Sequence, residues 1–511
     1  MKIFKDIFNK SYEKSYTSLK ETSGTADQKR ISSVLSENIF YVRTRCGDAT
    51  DIIIREVDIS GQKGAFLMCD GMCDGLKINN SVAMPILARS SELPDDPVEK
   101  YNAIRDMYVG EIELKEYLDM DEALLFVMSG FLVFLLDGVD RAMSFGMQGF
   151  KSRGVEDSVT DVQARGAREA FVESFKVNIT LIRRRLRTTD LRFSTHVVGQ
   201  TSKTNVILCY LADRVDSDLL DEVTNRITNI ELDTVMSSGY IQPFLDTDIP
   251  LPFSGVGVTE RPDVFCSKIS EGRIGIIVDG TPYSLYVPHF FTENFHSLDD
   301  YDNRPYYATF IRTVKWAAFA FSILLPGFYV SMGVFHQELF PENMLYDILS
   351  AELKTPFPLI AEALLIHFIF ELMREAGMRM PKTVGHAVSI VGALVIGDAA
   401  VSAGLVAAPM LIVVALTAIS SFVVPPLYEP VAVLRLSFII IGGTLGLYGI
   451  TLGLGLLIAS ICAIDPYGIV YTAPISPFSL SAMRDTIVRI GWKRLGKQNL
   501  KADELGSKDR G

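Results

Sequence analysis

Cysteine is scarce in this chain. Six residues in 511 (Cys46, Cys69, Cys73, Cys209, Cys266 and Cys462) are too few for a disulfide scaffold. Cys69 and Cys73 lie four apart, the wrong spacing for a zinc ribbon, and no second His or Cys pair accompanies them. They read as thiols of a reducing compartment. Basic excess is missing as well: 49 Lys and Arg face 61 Asp and Glu, a net charge of -12. Phosphate affinity comes from Lys and Arg, so a nucleic-acid binder is largely excluded. There is no Walker loop, no G-x-G-x-x-G and no H-E-x-x-H; Gly255-Val-Gly257 lacks both the third glycine and a preceding strand. The expectation is a non-enzyme without a cofactor or metal. The N-terminus, mixed in charge up to Ser11, lacks the apolar core of a signal peptide, which predicts a cytoplasmic N-terminal part.

What is present is unevenly spread. Charged residues make up 22% of the whole, yet only 15 of the 165 residues from Trp316 to Leu480 are charged, so a water-soluble protein is followed by a membrane protein. Trp316–Val334 carries no charge and is long enough for a span, with Trp316 and Tyr329 as interfacial aromatics. Phe357–Met373 is apolar but holds Glu362, His367 and Glu371. Gly385–Val424 fits two spans broken near Ala408-Pro409, and Leu436–Ile464 reads as a broken or re-entrant hairpin. Arg312 and Lys315 precede the first span and acidic residues follow it. That bias, with a basic tail from Arg484, predicts both ends inside and an even number of crossings.

Before the spans, strand-like runs alternate with helical ones. Asp51–Val57, Gly64–Cys69, Phe131–Leu136, Asn205–Leu211 and Arg273–Gly280 read as buried strands; Arg168–Leu186 and Asp216–Ile230 have helical spacing. The predicted fold class is α+β multi-domain. A cytoplasmic α/β region of two subdomains (31–148 and 149–312) follows a lead-in (1–30); a helical transmembrane domain of about four to six helices (313–482) and a basic tail (483–511) complete it.

Ionisable residues inside apolar spans are costly and normally face a bundle interior or a wet path. Glu362, His367, Glu371 and Asp398 are therefore candidate ion-path residues. Glu371, with Arg374 and Glu375, alternatively marks a helix end and pairs locally. His367 and Glu371 have helical metal-ligand spacing, a weak signal by itself. Gly442, Gly446, Gly449 and Gly453 form successive G-x-x-x-G pairs that read as helix-packing faces. Arg183-Arg-Arg185 reads as a solvated basic face, or as a contact for an acidic subunit or the anionic inner leaflet.

An ordered set of stretches resembles the A subunit of the GerA family of bacterial spore germinant receptors. These are Arg165–Ser174, Asn178–Arg187, Thr259-Glu-Arg-Pro-Asp263 and Glu271–Pro282, then Leu325-Pro-Gly-Phe-Tyr-Val330, Pro356-Phe-Pro358, Phe370–Pro381 and Gly385–Gly397. The likeness runs from about residue 38 to 490. Gly154-Val-Glu-Asp157 stands where the family usually has an Ile-x-Glu-Pro element. The resemblance implies a multi-pass protein of the spore inner membrane, partnered by a transporter-like B subunit and a lipoprotein C subunit. It further implies a homo-oligomer, proposed as a pentamer, forming a ligand-gated channel that releases monovalent cations to trigger germination. A paralogous stage V sporulation protein aiding dipicolinate release and a secondary transporter are the alternatives; no convincing inverted repeat favours the latter.

Overall fold

The computed structural model describes residues 29–47, 49–108, 113–149, 167–246, 252–379, 397–476, 478 and 482–491. Most of the 1–30 lead-in, Gly154–Asp157, most of Gly385–Gly397 and the tail beyond 491 lie outside them.

The N-terminal part holds two five-stranded sheets. After helix α1 (Leu35–Cys46), the first sheet comprises β1 (Ile52–Ile59), β2 (Gln62–Cys69), β3 (Leu114–Tyr117), β4 (Leu132–Leu136) and β5 (Ala142–Phe145), with α2 (Pro97–Tyr108) and α3 (Met120–Val127) between strands. After α4 (Phe175–Arg185), the second comprises β6 (Leu191–Val198), β7 (Thr204–Leu211), β8 (Gly257–Thr259), β9 (Ile274–Val278) and β10 (Ser284–Val287). Helices α5 (Ser217–Thr228), α6 (Ser238–Leu245) and α7 (Pro262–Ser270) are interspersed. Every pairing is antiparallel, which corrects the α/β expectation to α+β. Interleaving of strands and helices does not distinguish the two classes; a short hairpin turn such as Ser60-Gly61 can only join antiparallel strands.

The strand orders are β1-β2-β4-β5-β3 and β6-β7-β9-β10-β8, the same path taken twice. Matching residues repeat the local chemistry. Asn38 in α1 accepts from Ser32 N–H (2.9 Å) and donates to Ser32 O (2.6 Å). Asn178 in α4 does the same with Val172 (2.8 and 2.7 Å). The turn after β4, Asp137-Gly138, and the turn after β9, Asp279-Gly280, both place glycine at positive φ. Their aspartates accept from the first helical N–H of α1 (Leu35, 2.9 Å) and α4 (Phe175, 3.4 Å). Asn178 also explains why α4 begins at Phe175 rather than near Arg168: its side chain takes both the N–H and the C=O of Val172, and Phe171 N–H goes to Glu260 O, so neither residue joins a helical ladder.

The C-terminal part is helical: α8 (Pro305–Phe335), α9 (Glu342–Glu352), α10 (Leu359–Arg379), α11 (Ala408–Phe422) and α12 (Tyr428–Ala463). Two of these, α8 and the Pro425–Ala463 stretch, are long and apolar enough to cross a membrane. The latter is broken at Gly446 (φ 65°, ψ -155°). A Cβ on Gly453 would lie 3.2 Å from Phe438, residues that continuous helix would hold about 22 Å apart, so the chain doubles back at Gly446. The first half of α12 runs alongside α8, with Gly442 against Gly327 and Gly446 against Phe335; α10 runs opposite, from Leu359 at Gly333 to Glu371 at Arg435. After the reversal the chain returns to the α+β part, where Tyr467 donates to Leu245 O (2.7 Å) and Tyr471 O accepts from Phe291 N–H (2.9 Å).

Candidate functional site

Helices α10 and α12 bring ionisable groups into the bundle. Glu362, in the first turn of α10, is fully buried; its Oε1 accepts the Ala407 N–H at the start of α11 (2.6 Å), while Oε2 has no partner. The helix N-terminus favours a negative charge there. One turn on, His367 is buried with Nδ1 on Ala363 O (2.9 Å) and Nε2 unpartnered. Glu371 takes Arg435 and the Tyr428 hydroxyl on its two oxygens, with Arg374 Nε at 3.3 Å. Asp398 is exposed in this single chain. The structure therefore brings Glu371 to Arg435 at one end of α10 and sets Glu362 at the other, with His367 between. His367 and Glu371 converge on no common ligand, and among the described residues no group of His, Cys, Asp and Glu could hold a metal.

The four glycines divide their work. Gly442 permits the backbone crossing with Gly327, Gly446 makes the reversal, and Gly449 and Gly453 let the two halves of α12 close on Leu445, Ile441 and Phe438.

At the other end of α8 a second polar assembly joins bundle to sheet. Glu293 is buried between Arg273 and Lys268 (Lys268 Nζ at 2.8 Å) and contacts His289 (3.1 Å). Burial alone would raise its carboxyl pKa; the Arg273 and Lys268 charges and hydrogen bonds outweigh it and hold it well below the usual 4.5. Arg312 of α8 is fully buried and binds Asp300 and Asp485, both at 2.9 Å. Phe295 stacks on Trp316 at 3.8 Å. The composition break at Trp316 is thus the seam between the parts, and α8 starts eleven residues before it. Sequence reading missed Glu293, Arg312 and Arg435 as partners. The signal was present for Arg435, a lone cation flanked by apolar residues that requires a buried acid.

Arg183-Arg-Arg185 is not one solvated face: its first residue is internal and the other two are half-buried. Arg183 is fully buried on Asp51, and Arg184 and Arg185 bind Glu169 (3.0 and 2.7 Å).

A duplicated antiparallel α+β region, tied by buried ion pairs to apolar helices that carry internal carboxylates, defines a two-part protein of membrane-associated type. Residues 41–500 match the Bacillus/Clostridium GerA spore germination protein family. The chain belongs to that family. It is 36% identical to spore germination protein KA of Bacillus subtilis (strain 168), over 90% of this chain and 85% of that one. It is 31% identical to spore germination protein GerLA of Bacillus cereus, over 89% and 94%. Among solved structures, the N-terminal domain of the A subunit of the Bacillus megaterium spore germinant receptor GerK3 matches at 27% identity and TM-score 0.41, over 52% of this chain and 99% of that chain.

Proposed function

We propose that this chain is the A subunit of a spore germinant receptor and works as an oligomeric, ligand-gated channel for monovalent cations. The observation that carries the reading is the extent of the family match: residues 41–500 take in both the α+β region and the helices. In this reading residues 31–148 and 149–312 are two cytoplasmic subdomains, 313–482 is the multi-pass domain and the tail is cytoplasmic. The bundle begins and ends at the α+β part, which supports placing both on one side of the membrane. Homo-oligomers, a pentamer in the family pattern, assemble with a transporter-like B subunit that binds the germinant and a lipoprotein C subunit, in the spore inner membrane. Glu362, His367, Glu371 and Asp398 line or border the path, and the Glu293 and Arg312 assemblies carry strain between ring and pore.

Potassium efflux from liposomes tests this. Efflux dependent on germinant and increased by the B and C subunits is the expected result. No efflux from oligomeric, correctly inserted complex overturns it, and unchanged flux in E362Q, E371Q and D398N together removes the path role of those residues.

A further inference from the structure

The connector from α8 to α10 leaves the bundle and returns to it at one level. Phe335 ends α8 nineteen residues after Trp316, about 28 Å along the helix axis. That is close to the thickness of a hydrocarbon core, about 30 Å. Leu359, the first residue of α10, packs against Gly333, two residues before that end. Helix α9 (Glu342–Glu352) therefore stays at the bundle edge farthest from the α+β part.

The surface of α9 divides into three stripes, because residues three, four and seven apart share a helix face. Leu345, Ile348 and Glu352 face the bundle, where Ile348 is buried in the cluster that holds Tyr329, Leu359 and Met410. Asn343, Asp347 and Ser350 are polar and all exposed. Beside them Tyr346, Leu349 and Leu353 form an apolar stripe, with Tyr346 76% and Leu353 87% exposed. Phe335, Leu339 and Phe357, all exposed, flank the helix in the connector.

A helix facing only water needs no apolar stripe, and one enclosed by other helices needs no polar stripe. Adjacent apolar and polar stripes match the edge of a bilayer, which is apolar on one side and wet on the other. We propose that α9 lies in the bilayer interface, with Tyr346, Leu349 and Leu353 set into the boundary between headgroups and acyl chains. The Tyr346 ring suits that depth, since its body is apolar and its hydroxyl meets the headgroup layer. Charge disfavours a second copy as the occupant. Glu338, Glu342, Asp347 and Glu352 stand against Lys354 alone in the connector, and pairing two such surfaces brings like charges together. For the same reason insertion rests on apolar contact and not on attraction to anionic lipid. So anchored, α9 holds the turn between α8 and α10 to the membrane on the side away from the sheets. The inference rests on the bundle crossing a membrane, but not on conduction or oligomer size.

The test is depth-dependent quenching of an environment-sensitive fluorophore on single cysteines of the full-length chain in lipid nanodiscs. The parent is C462S, which removes the exposed cysteine; half-buried Cys73 sets a background measured on that parent. The labelled variants are Y346C, D347C and L353C, with I440C at an exposed position of α12 as the reference for the bundle. A nitroxide carried just below the lipid headgroup should quench Y346C and L353C severalfold more than D347C, and aqueous iodide should do the opposite. The pattern should be the same in phosphatidylcholine and phosphatidylglycerol discs. A nitroxide deep in the acyl chains should quench I440C. All the replaced side chains are exposed, so folding is retained, and either Y346C or L353C alone carries the test. If I440C is quenched while Y346C and L353C are no more lipid-quenched than D347C, the proposal falls and the membrane reading stands. If I440C is not quenched either, the membrane reading falls and takes the proposal with it. Shielding of Y346C and L353C from both quenchers means that protein covers the stripe, and quenching confined to phosphatidylglycerol discs means that the contact is electrostatic; each overturns the proposal.

Discussion

Arg183 and Asp51 belong to different halves of the α+β region, yet they form a fully buried two-pronged pair. Arg183 Nε donates to Oδ2 at 2.9 Å and Nη2 to Oδ1 at 3.0 Å. Asp51 directly precedes β1, as Asp190 directly precedes β6. Asp190 in turn takes Arg45, from the helix of the first half. Each half thus sends an arginine from its leading helix to the aspartate at the mouth of the other's first strand. The exchange holds the two repeats in register.

Breaking the buried member of this exchange should be severe. Removing one partner leaves an uncompensated charge in the interior, about 3–5 kcal/mol. Arg183→Met and Asp51→Asn should each lower the unfolding midpoint of the full-length chain sharply. The double variant should lose less than the two singles combined, because the charges depart together. Strict additivity in thermal or denaturant unfolding contradicts this account.

The asparagine clamps should be equivalent. Asn38→Ala and Asn178→Ala each strand a backbone N–H and a C=O, costing about 1–3 kcal/mol. Aspartate at either site keeps the acceptor and loses the donor, so it should fall between. Denaturant unfolding of the four variants checks it; a large loss at one site alone contradicts the functional equivalence of the repeats.

Much of this was legible in the sequence, in proportion to how local the signal is. Buried strands such as Ile274–Val278 announce themselves as apolar runs, and Asp216 caps its helix as its side chain and position dictate. The apolar helices were equally plain. The duplication was not, because it survives in single residues (Asn38 and Asn178, Asp137 and Asp279) about 140 apart, amid unrelated neighbours. Nor was the fate of the Arg183 cluster, since a helix face that is basic in sequence becomes internal only when a distant Asp51 arrives. Glu362 stood out as costly in an apolar helix.

The reversal in α12 makes a sharp distinction among glycines. Gly446 adopts a backbone conformation that side-chain-bearing residues reach at a cost of about 1–3 kcal/mol. At Gly442 a methyl group would fall 2.3 Å from the Gly327 carbonyl oxygen, forcing α8 and α12 apart. Gly455 has open space around it. Gly446→Ala and Gly442→Ala should therefore lower the melting temperature of the detergent-solubilised chain, and Gly455→Ala should leave it nearly unchanged. Equal effects at all three positions are incompatible with the hairpin.

The seam between sheet and bundle should respond to acid in two stages. Burial holds the His296 pKa well below its ordinary 6.5, the charges of Arg312 and Lys268 adding to the effect and Glu293 opposing it. The neutral ring donates from Nε2 to Thr486 O at 3.0 Å. Below pH 6.5 the unfolded chain therefore takes up a proton at His296 that the folded chain refuses, so this stabilisation is complete above that pH and declines as pH falls. The slope is up to about 1.4 kcal/mol per pH unit for one proton. Glu293, ionised in the folded chain well below 4.5, adds a second decline only under that value. His296→Gln keeps a donor for Thr486 and removes the titration. It should flatten the stability profile between pH 6.5 and 4.5 while leaving the steeper loss below 4.5 intact, and Glu293→Gln should do the reverse. Unfolding midpoints across pH 4 to 8 separate the two; a His296→Gln profile superimposable on that of the parent chain shows that the buried imidazole is not what the seam loses first.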